Sequence, residues 1–201
     1  MRIARLSAVL ATAALLASLS LTGCSSDPLA EQYREGSGKN YIAGDGSVTE
    51  IQPENRGEVI EFSGTTETGA TVTSEEYLGN VLVVNFWYAG CAPCRAEAPD
   101  LEEVYTSTHP AGTNFLGVNV RDQAATVTTF MTSFGVTYPS VIDQDGAVQL
   151  AFASDVPPNA VPTTLVLDSE GRVAARILGQ LADPSILETI IADVSSEGAS
   201  N

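Results

Sequence analysis

Residues Val83-Val84-Asn85-Phe86-Trp87-Tyr88-Ala89-Gly90-Cys91-Ala92-Pro93-Cys94 join an apolar run to two cysteines three positions apart. Val81 to Trp87 is continuous and rich in β-branched residues, which fits a strand buried on both faces. From about Ala92 to Thr108 the pattern is helical, so the cysteines stand where a strand hands over to a helix. A helix N-terminus presents unpaired N–H groups and the positive end of the macrodipole, and both favour a thiolate over a thiol. The thiolate is the attacking species in disulfide exchange. Spacing of three puts both sulfurs on one helical turn, and Pro93, with no N–H and a preset φ, suits the first turn. Redox chemistry at Cys91 and Cys94 is the expectation. A static disulfide is the blander reading, but so small a loop restricts the unfolded chain little. Half of a zinc site is another, but further ligands are scarce where His109 is the single histidine.

Outward from this turn the chain alternates strand and helix patterns. Phe115 to Val120 reads as a buried strand, Gln123 to Phe134 as a helix and Ser140 to Ile142 as a short strand. Asp145-Gly146 turns into a helical Ala147 to Ala153. Thr163 to Asp168 and Val173 to Leu178 are strands joined by the turn Ser169-Glu170-Gly171. Asp183-Pro184 opens a last helix with an acid at the N-cap, proline at the first position and apolar Leu187, Ile190, Ile191 and Val194. Upstream, Val59 to Phe62 and Ala70 to Thr73 suggest a hairpin, with turn-like Ser63-Gly64 and Thr68-Gly69 between them. The order implies an α/β fold, a mixed sheet flanked by helices.

The 201 residues suit one ordinary domain with appendages, and the formal net charge is −16, from 9 Lys+Arg against 25 Asp+Glu. Nucleic-acid binding needs a basic footprint and is excluded as an expectation. Anionic lipid is disfavoured as an electrostatic partner for the same reason. Arg2 and Arg5 precede the apolar run Leu6 to Leu21, too short for a spanning helix of ~20 residues and suited to a signal peptide. Its end, Leu21-Thr22-Gly23-Cys24, resembles the lipobox of bacterial lipoproteins, which implies cleavage before Cys24 and lipidation of its thiol. An ordinary signal followed by a free or buried thiol is the alternative. The expected organisation is a signal peptide over 1–23, a flexible lipid-anchored tether over 24–56, a domain over 57–194 and a frayed tail over 195–201. The compartment is extracytoplasmic, where disulfides persist.

The domain resembles the thioredoxin-like thiol-disulfide oxidoreductases of the TlpA/ResA type. The resemblance rests on Val83 to Trp87, Cys91-Ala92-Pro93-Cys94-Arg95, Glu97, Pro99, Tyr138-Pro139, Asp143, Asp145-Gly146, Val161-Pro162-Thr163-Thr164, Asp168 and Gly171. It implies a thioredoxin fold with an N-terminal β-hairpin and a central strand-helix insertion. It makes Cys91 the exposed nucleophile, Cys94 the resolving thiol and Pro162 the cis-proline that pairs with bound peptide. Val161 then offers its backbone to the client, and Ala92, Pro93 and Trp87 border the same surface; Trp87 is also expected to shield the redox pair, with a plain core tryptophan as the other reading. Glu97 matches an acid that helps move protons in some relatives, and a solvated glutamate is the other reading. Asn85 stands where thioredoxin has a buried aspartate, and the proline-rich Asp155 to Asn159 is a longer lead-in to Pro162 than usual. Arg95 either steadies the thiolate or is a solvated cation.

The implied activity is reduction of oxidised protein thiols, such as those of apocytochrome c during cytochrome c maturation, with recharging by an integral-membrane thiol donor and no cofactor beyond the cysteine pair. A disulfide oxidase or isomerase is the alternative. A Cu(I) metallochaperone is weaker, because the spacing is CxxC and His109 precedes Pro162.

Overall fold

All six residues of the strand Leu82–Trp87 (β4) are buried, as its β-branched and aromatic composition predicts. It is one of the inner strands of a six-stranded mixed sheet. The structure, a computed structural model, describes residues 48–157 and 160–198. The expected signal peptide, Cys24, the tether up to residue 47, Pro158-Asn159 and residues 199–201 lie outside the described residues.

The strands are Val48–Glu50 (β1), Ser63–Thr65 (β2), Thr71–Thr73 (β3), β4, Asn114–Asn119 (β5), Ser140–Ile142 (β6), Thr163–Leu167 (β7) and Val173–Leu178 (β8). The helices are Ala92–Thr108 (α1), Ala124–Phe134 (α2), Ala147–Ala151 (α3) and Pro184–Gly198 (α4). The sheet runs β1-β8-β7-β4-β5-β6. Strand β4 is parallel to β5 and β5 to β6, and these pairs are the ones joined by crossover helices, α1 and α2. Strand β4 is antiparallel to β7, with Asn85 beside Thr164. Alternation along β4 puts Val83 in one core cluster with Leu101 and Val104 of α1 and Leu187, Ile190 and Ile191 of α4. Val84 and Phe86 go to a second cluster with Phe62, Leu116, Phe152 and Leu165. Asn85 and Trp87 share the face of Val83, and this brings them to the cysteine end of α1.

The folded domain begins earlier than the expected boundary at residue 57. Val48–Glu50 pairs antiparallel with β8, Val48 beside Ile177. The Arg56 side chain is only 3% exposed and bonds to Asp168 Oδ2 at 2.9 Å and to Glu197, while its Nε donates to the Ile51 carbonyl. A three-residue strand and one buried cation leave no periodic trace in a Gly-rich sequence. The tail likewise starts later than Ser195, because α4 runs to Gly198 and Glu197 is held by Arg56. Removing one partner of a buried ion pair leaves an uncompensated charge, and Arg172 also bonds Asp168 at 3.0 Å. Arg56→Ala is therefore expected to destabilise the domain by about 3 kcal/mol, the low end for such pairs. Chemical denaturation of the two proteins measures it, and a loss under about 0.5 kcal/mol, the range of ordinary surface substitutions, contradicts the anchoring role.

The hairpin exists but its first arm is Ser63–Thr65, not Val59 to Phe62. Gly64, expected in a turn, lies in the strand, where a Cβ would stand 2.5 Å from Val141 Cγ1. Close approach of backbone to side chain, not a turn, is what requires that glycine. The hairpin meets β6 through a bridge between Thr66 and Val141.

Candidate active site

Cys91 is the N-cap of α1, in an extended backbone conformation, and its Sγ accepts the Cys94 N–H at 3.2 Å. The two cysteines are joined in a disulfide with Cα atoms 5.2 Å apart. A sulfur at this position receives the unpaired donors of the first helical turn, the arrangement that lowers a thiol's pKa. Cys91 is 3% and Cys94 2% exposed, so in the disulfide state Cys91 is not the exposed sulfur that the resemblance implies. Both pack in one apolar cluster with Trp87, Ala98, Val127, Phe130 and Met131. Ala92 is exposed and Pro93 half-buried, so the tip of the turn faces solvent.

The loop before Cys91 is fastened from β5. Asn119 Oδ1 accepts the N–H groups of Arg121 and Asp122, and Asp122 Oδ2 accepts the Ala89 N–H at 2.6 Å. Sequence reasoning missed Asp122. Its signal is the Asn119-x-x-Asp122 pattern at a strand end, where Asn side chains turn the chain on itself.

Trp87 donates Nε1–H to Ser140 Oγ at 3.0 Å and stacks obliquely on Phe130, ring centroids 4.3 Å apart. A Cβ on Gly117 would lie 2.9 Å from Trp87 Nε1 and 2.6 Å from Ser140 Oγ, so the indole reaches Ser140 only across a glycine. At 5% exposure Trp87 walls the cysteines from within and leaves a client almost no indole surface to touch. This corrects its expected place on the substrate surface. The Val161–Pro162 bond is cis, Pro162 is buried and Val161, half-buried, packs against the cysteine cluster.

Glu97 is fully buried, which excludes the solvated reading. Asn85 Nδ2 donates to Oε1 at 3.1 Å and the Leu181 N–H donates to Oε2 at 2.8 Å. Asn85 also donates to Thr164 Oγ1 at 3.0 Å, so β4 and β7 together hold the carboxyl. Burial pushes the Glu97 pKa up from 4.5 to about 7, against the lowering effect of the Leu181 and Asn85 hydrogen bonds. Asp100 adds a smaller upward push. Behind Cys94 lies a small cavity of about 10 Å³, bordered by Asn85, Trp87, Tyr138 and Ser140. It is near the size of a single water. Asn85 thus touches both Glu97 and the space next to Cys94.

Arg95 is exposed, with its guanidinium 5.0 Å from the centre of the Phe134 ring and Nη1 donating to the Ala89 carbonyl at 3.4 Å. It points along the rim, away from the role of steadying the sulfur. Among the described residues no group of three His, Cys, Asp or Glu side chains is placed to hold a metal, and no helix is long and apolar enough to cross a membrane.

Residues 48–191 match the family model described as Redoxin. The chain belongs to the Redoxin family. Within it, the domain is similar to the thiol-disulfide oxidoreductase ResA of Geobacillus thermodenitrificans, 35% identical over 111 residues, which are 55% of this chain and 62% of the relative. ResA of Bacillus subtilis is 32% identical over 118 residues, 59% of this chain and 64% of the relative. The chain thus spans just under two thirds of the length of these curated relatives. A solved DsbF homologue from Corynebacterium diphtheriae superposes with a TM-score of 0.66 at 32% identity, over 79% of this chain and 99% of that one. A secreted thiol-disulfide isomerase from Corynebacterium glutamicum does so with a TM-score of 0.65 at 26% identity, over 83% and 100%. This Redoxin domain therefore has the thioredoxin-like fold, and the curated relatives it is similar to are thiol-disulfide oxidoreductases named ResA.

Proposed function

We propose that the protein is an extracytoplasmic thiol-disulfide oxidoreductase, held to the membrane through lipidated Cys24, that reduces oxidised protein thiols such as those of apocytochrome c. The observation that carries the reading is the Cys91–Cys94 pair at the N-terminus of α1, with the cis Val161–Pro162 loop packed against it. In the reduced protein the Cys91 thiolate attacks one sulfur of a client disulfide and releases the other as a thiolate. Cys94 then loses its proton to Glu97 and attacks Cys91. The client leaves with both sulfurs as thiolates, which take up the proton held by Glu97 and one from water; two electrons have passed to it, and the Cys91–Cys94 disulfide remains. An integral-membrane thiol donor restores the dithiol.

The same chemistry runs in reverse in an oxidase or isomerase. The likeness to a secreted thiol-disulfide isomerase supports that second reading. Direction follows from reduction potential, which spans ~−270 mV for thioredoxin to ~−120 mV for DsbA on one fold. Trp87 is the single tryptophan and shares a cluster with both cysteines. Its fluorescence in graded redox buffers is expected to report a two-electron transition at or below about −250 mV, in the range of reductants. A midpoint near about −150 mV or above overturns the reductant reading in favour of the oxidase or isomerase.

A further inference from the structure

The described residues carry arginines at Arg56, Arg95, Arg121, Arg172 and Arg176 and no lysine. Arg56 is bound to Asp168 and Glu197, and Arg172 to Asp168 and Glu170. Arg176 donates to the Asp155 carbonyl and sits in the field of that residue's carboxylate. Arg95 and Arg121 make no ion pair among the described residues. Both are exposed, and both stand at the mouth of the redox site. Ala89, two residues before Cys91, lies between them. Its carbonyl accepts from Arg95, and its N–H donates to Asp122, the neighbour of Arg121. Each guanidinium rests on an aromatic ring, Arg95 on Phe134 at 5.0 Å and Arg121 on Tyr88 at 4.1 Å. Stacking of this kind orders the cation while its edge stays open to acceptors.

From this rim a groove of about 680 Å³ runs along α2, bordered by Ala89, Ala125, Thr126, Thr129, Ser133 and Phe134. The helix has no charged residue at any position, although Ala125, Thr126, Thr128, Thr129, Thr132 and Ser133 are all exposed. In a chain of net charge −16, an exposed helix face free of carboxylates is out of keeping with the rest of the surface. Depletion of charge marks the centre of contact surfaces. The one carboxylate at the rim, Asp122, is engaged by the Ala89 N–H and by Asn119 Nδ2.

We infer that this groove docks an extended client segment whose cysteine is flanked by acidic side chains, Arg95 and Arg121 receiving the carboxylates while α2 carries the backbone past Cys91. The inference rests on the oxidoreductase reading and names the client chemistry that reading leaves open. Charge complementarity is local. At physiological salt the Debye length is about 8 Å, so the remote carboxylates are screened while the two arginines act at contact range. The arginines select among clients and speed encounter, and they take no part in the exchange itself.

The test uses the reduced full chain and three disulfide-linked peptides that differ only in the residues beside cysteine: aspartate, asparagine or lysine. The readout is the ratio of exchange rate constants. The aspartate peptide is expected to react about fivefold faster than the asparagine peptide at low ionic strength, a steering effect that salt suppresses. In the doubly substituted Arg95→Gln/Arg121→Gln protein the ratio is expected to fall to near one. Thr129→Asp, which brings a carboxylate into the groove without touching either arginine, is expected to lower it as well. Equal rates for the two peptides, a ratio that survives both sets of substitutions, or fastest reaction with the lysine peptide each overturn the groove assignment while exchange itself persists. No exchange with any of the three overturns the oxidoreductase reading and the groove together, so the two failures are distinguishable.

Discussion

Cys91→Ser is expected to slow disulfide exchange by on the order of 10³-fold or more, whereas Cys94→Ser stops the cycle one step later, as a mixed disulfide between Cys91 and the client. Burial does not separate the two sulfurs, since they are 3% and 2% exposed. Their positions on α1 do. Cys91 is the N-cap, and its Sγ already accepts the N–H of Cys94 at 3.2 Å. Cys94 is inside the first turn, against the cavity bordered by Asn85 and Tyr138. Backbone donors and the macrodipole therefore favour a thiolate at Cys91, and a thiolate there can attack an incoming disulfide. A serine hydroxyl in the same place is not ionised at neutral pH and makes no disulfide. Single-turnover exchange with a fluorogenic disulfide gives the rates, and mass spectrometry gives the adduct. An adduct on Cys94 in the Cys91→Ser protein, with none on Cys91 in the Cys94→Ser protein, reverses the assignment.

The parts of this site that sequence reveals are those with a short-range pattern. The buried strand, the CxxC turn and α1 follow from one another within a few residues, and α1 begins and ends at Ala92 and Thr108 as the pattern predicts. The last helix announces itself through Asp183, whose Oδ1 accepts the Ser185 N–H at 2.8 Å. What escapes is set by partners far apart in the chain. β1 exists because β8 lies beside it, and Arg56 is buried because Asp168 and Glu197 arrive there from 112 and 141 residues away. Gly64 reads as a turn because a close approach to Val141 leaves no local sign. Glu97 is the instructive case at the site. Its spacing from Cys94 shows that it shares a helix face with the sulfur, but its burial comes from Asn85, Thr164 and the Leu181 N–H, all on other elements. Nothing in the helix itself distinguishes it from a solvated glutamate.

That burial has a consequence for pH. The folded-state pKa of Glu97 is raised from 4.5 to about 7, chiefly by desolvation. A raised carboxyl pKa means that the folded state holds the proton more tightly than the unfolded chain does. The stabilising contribution is then complete below about pH 4.5 and is lost as pH rises through about 7. At ~1.4 kcal/mol per unit the loss comes to roughly 3 kcal/mol. Glu97→Gln removes this titration, and Asn85 can turn its amide oxygen toward the new NH₂ group. Chemical denaturation at pH 5 and pH 8 is expected to show the native protein losing roughly 2 kcal/mol relative to the variant, since part of the loss is already complete at pH 5.

Stability alone reports burial, however, and a proton-accepting role makes a second demand on the same residue. Cys94 must be deprotonated to attack the mixed disulfide, and ionised Glu97 accepts that proton. Client release by the native protein is accordingly expected to accelerate as pH rises through about 7. In Glu97→Gln that inflection should disappear and release at pH 8 should fall by about 100-fold, the lower range for loss of a positioned acid-base group. First attack by Cys91 should change little, because Glu97 reaches the reaction through Cys94. If release by the variant keeps both its rate and its inflection while the stability difference appears as expected, Glu97 is a structural carboxyl and the proton leaves Cys94 by another path.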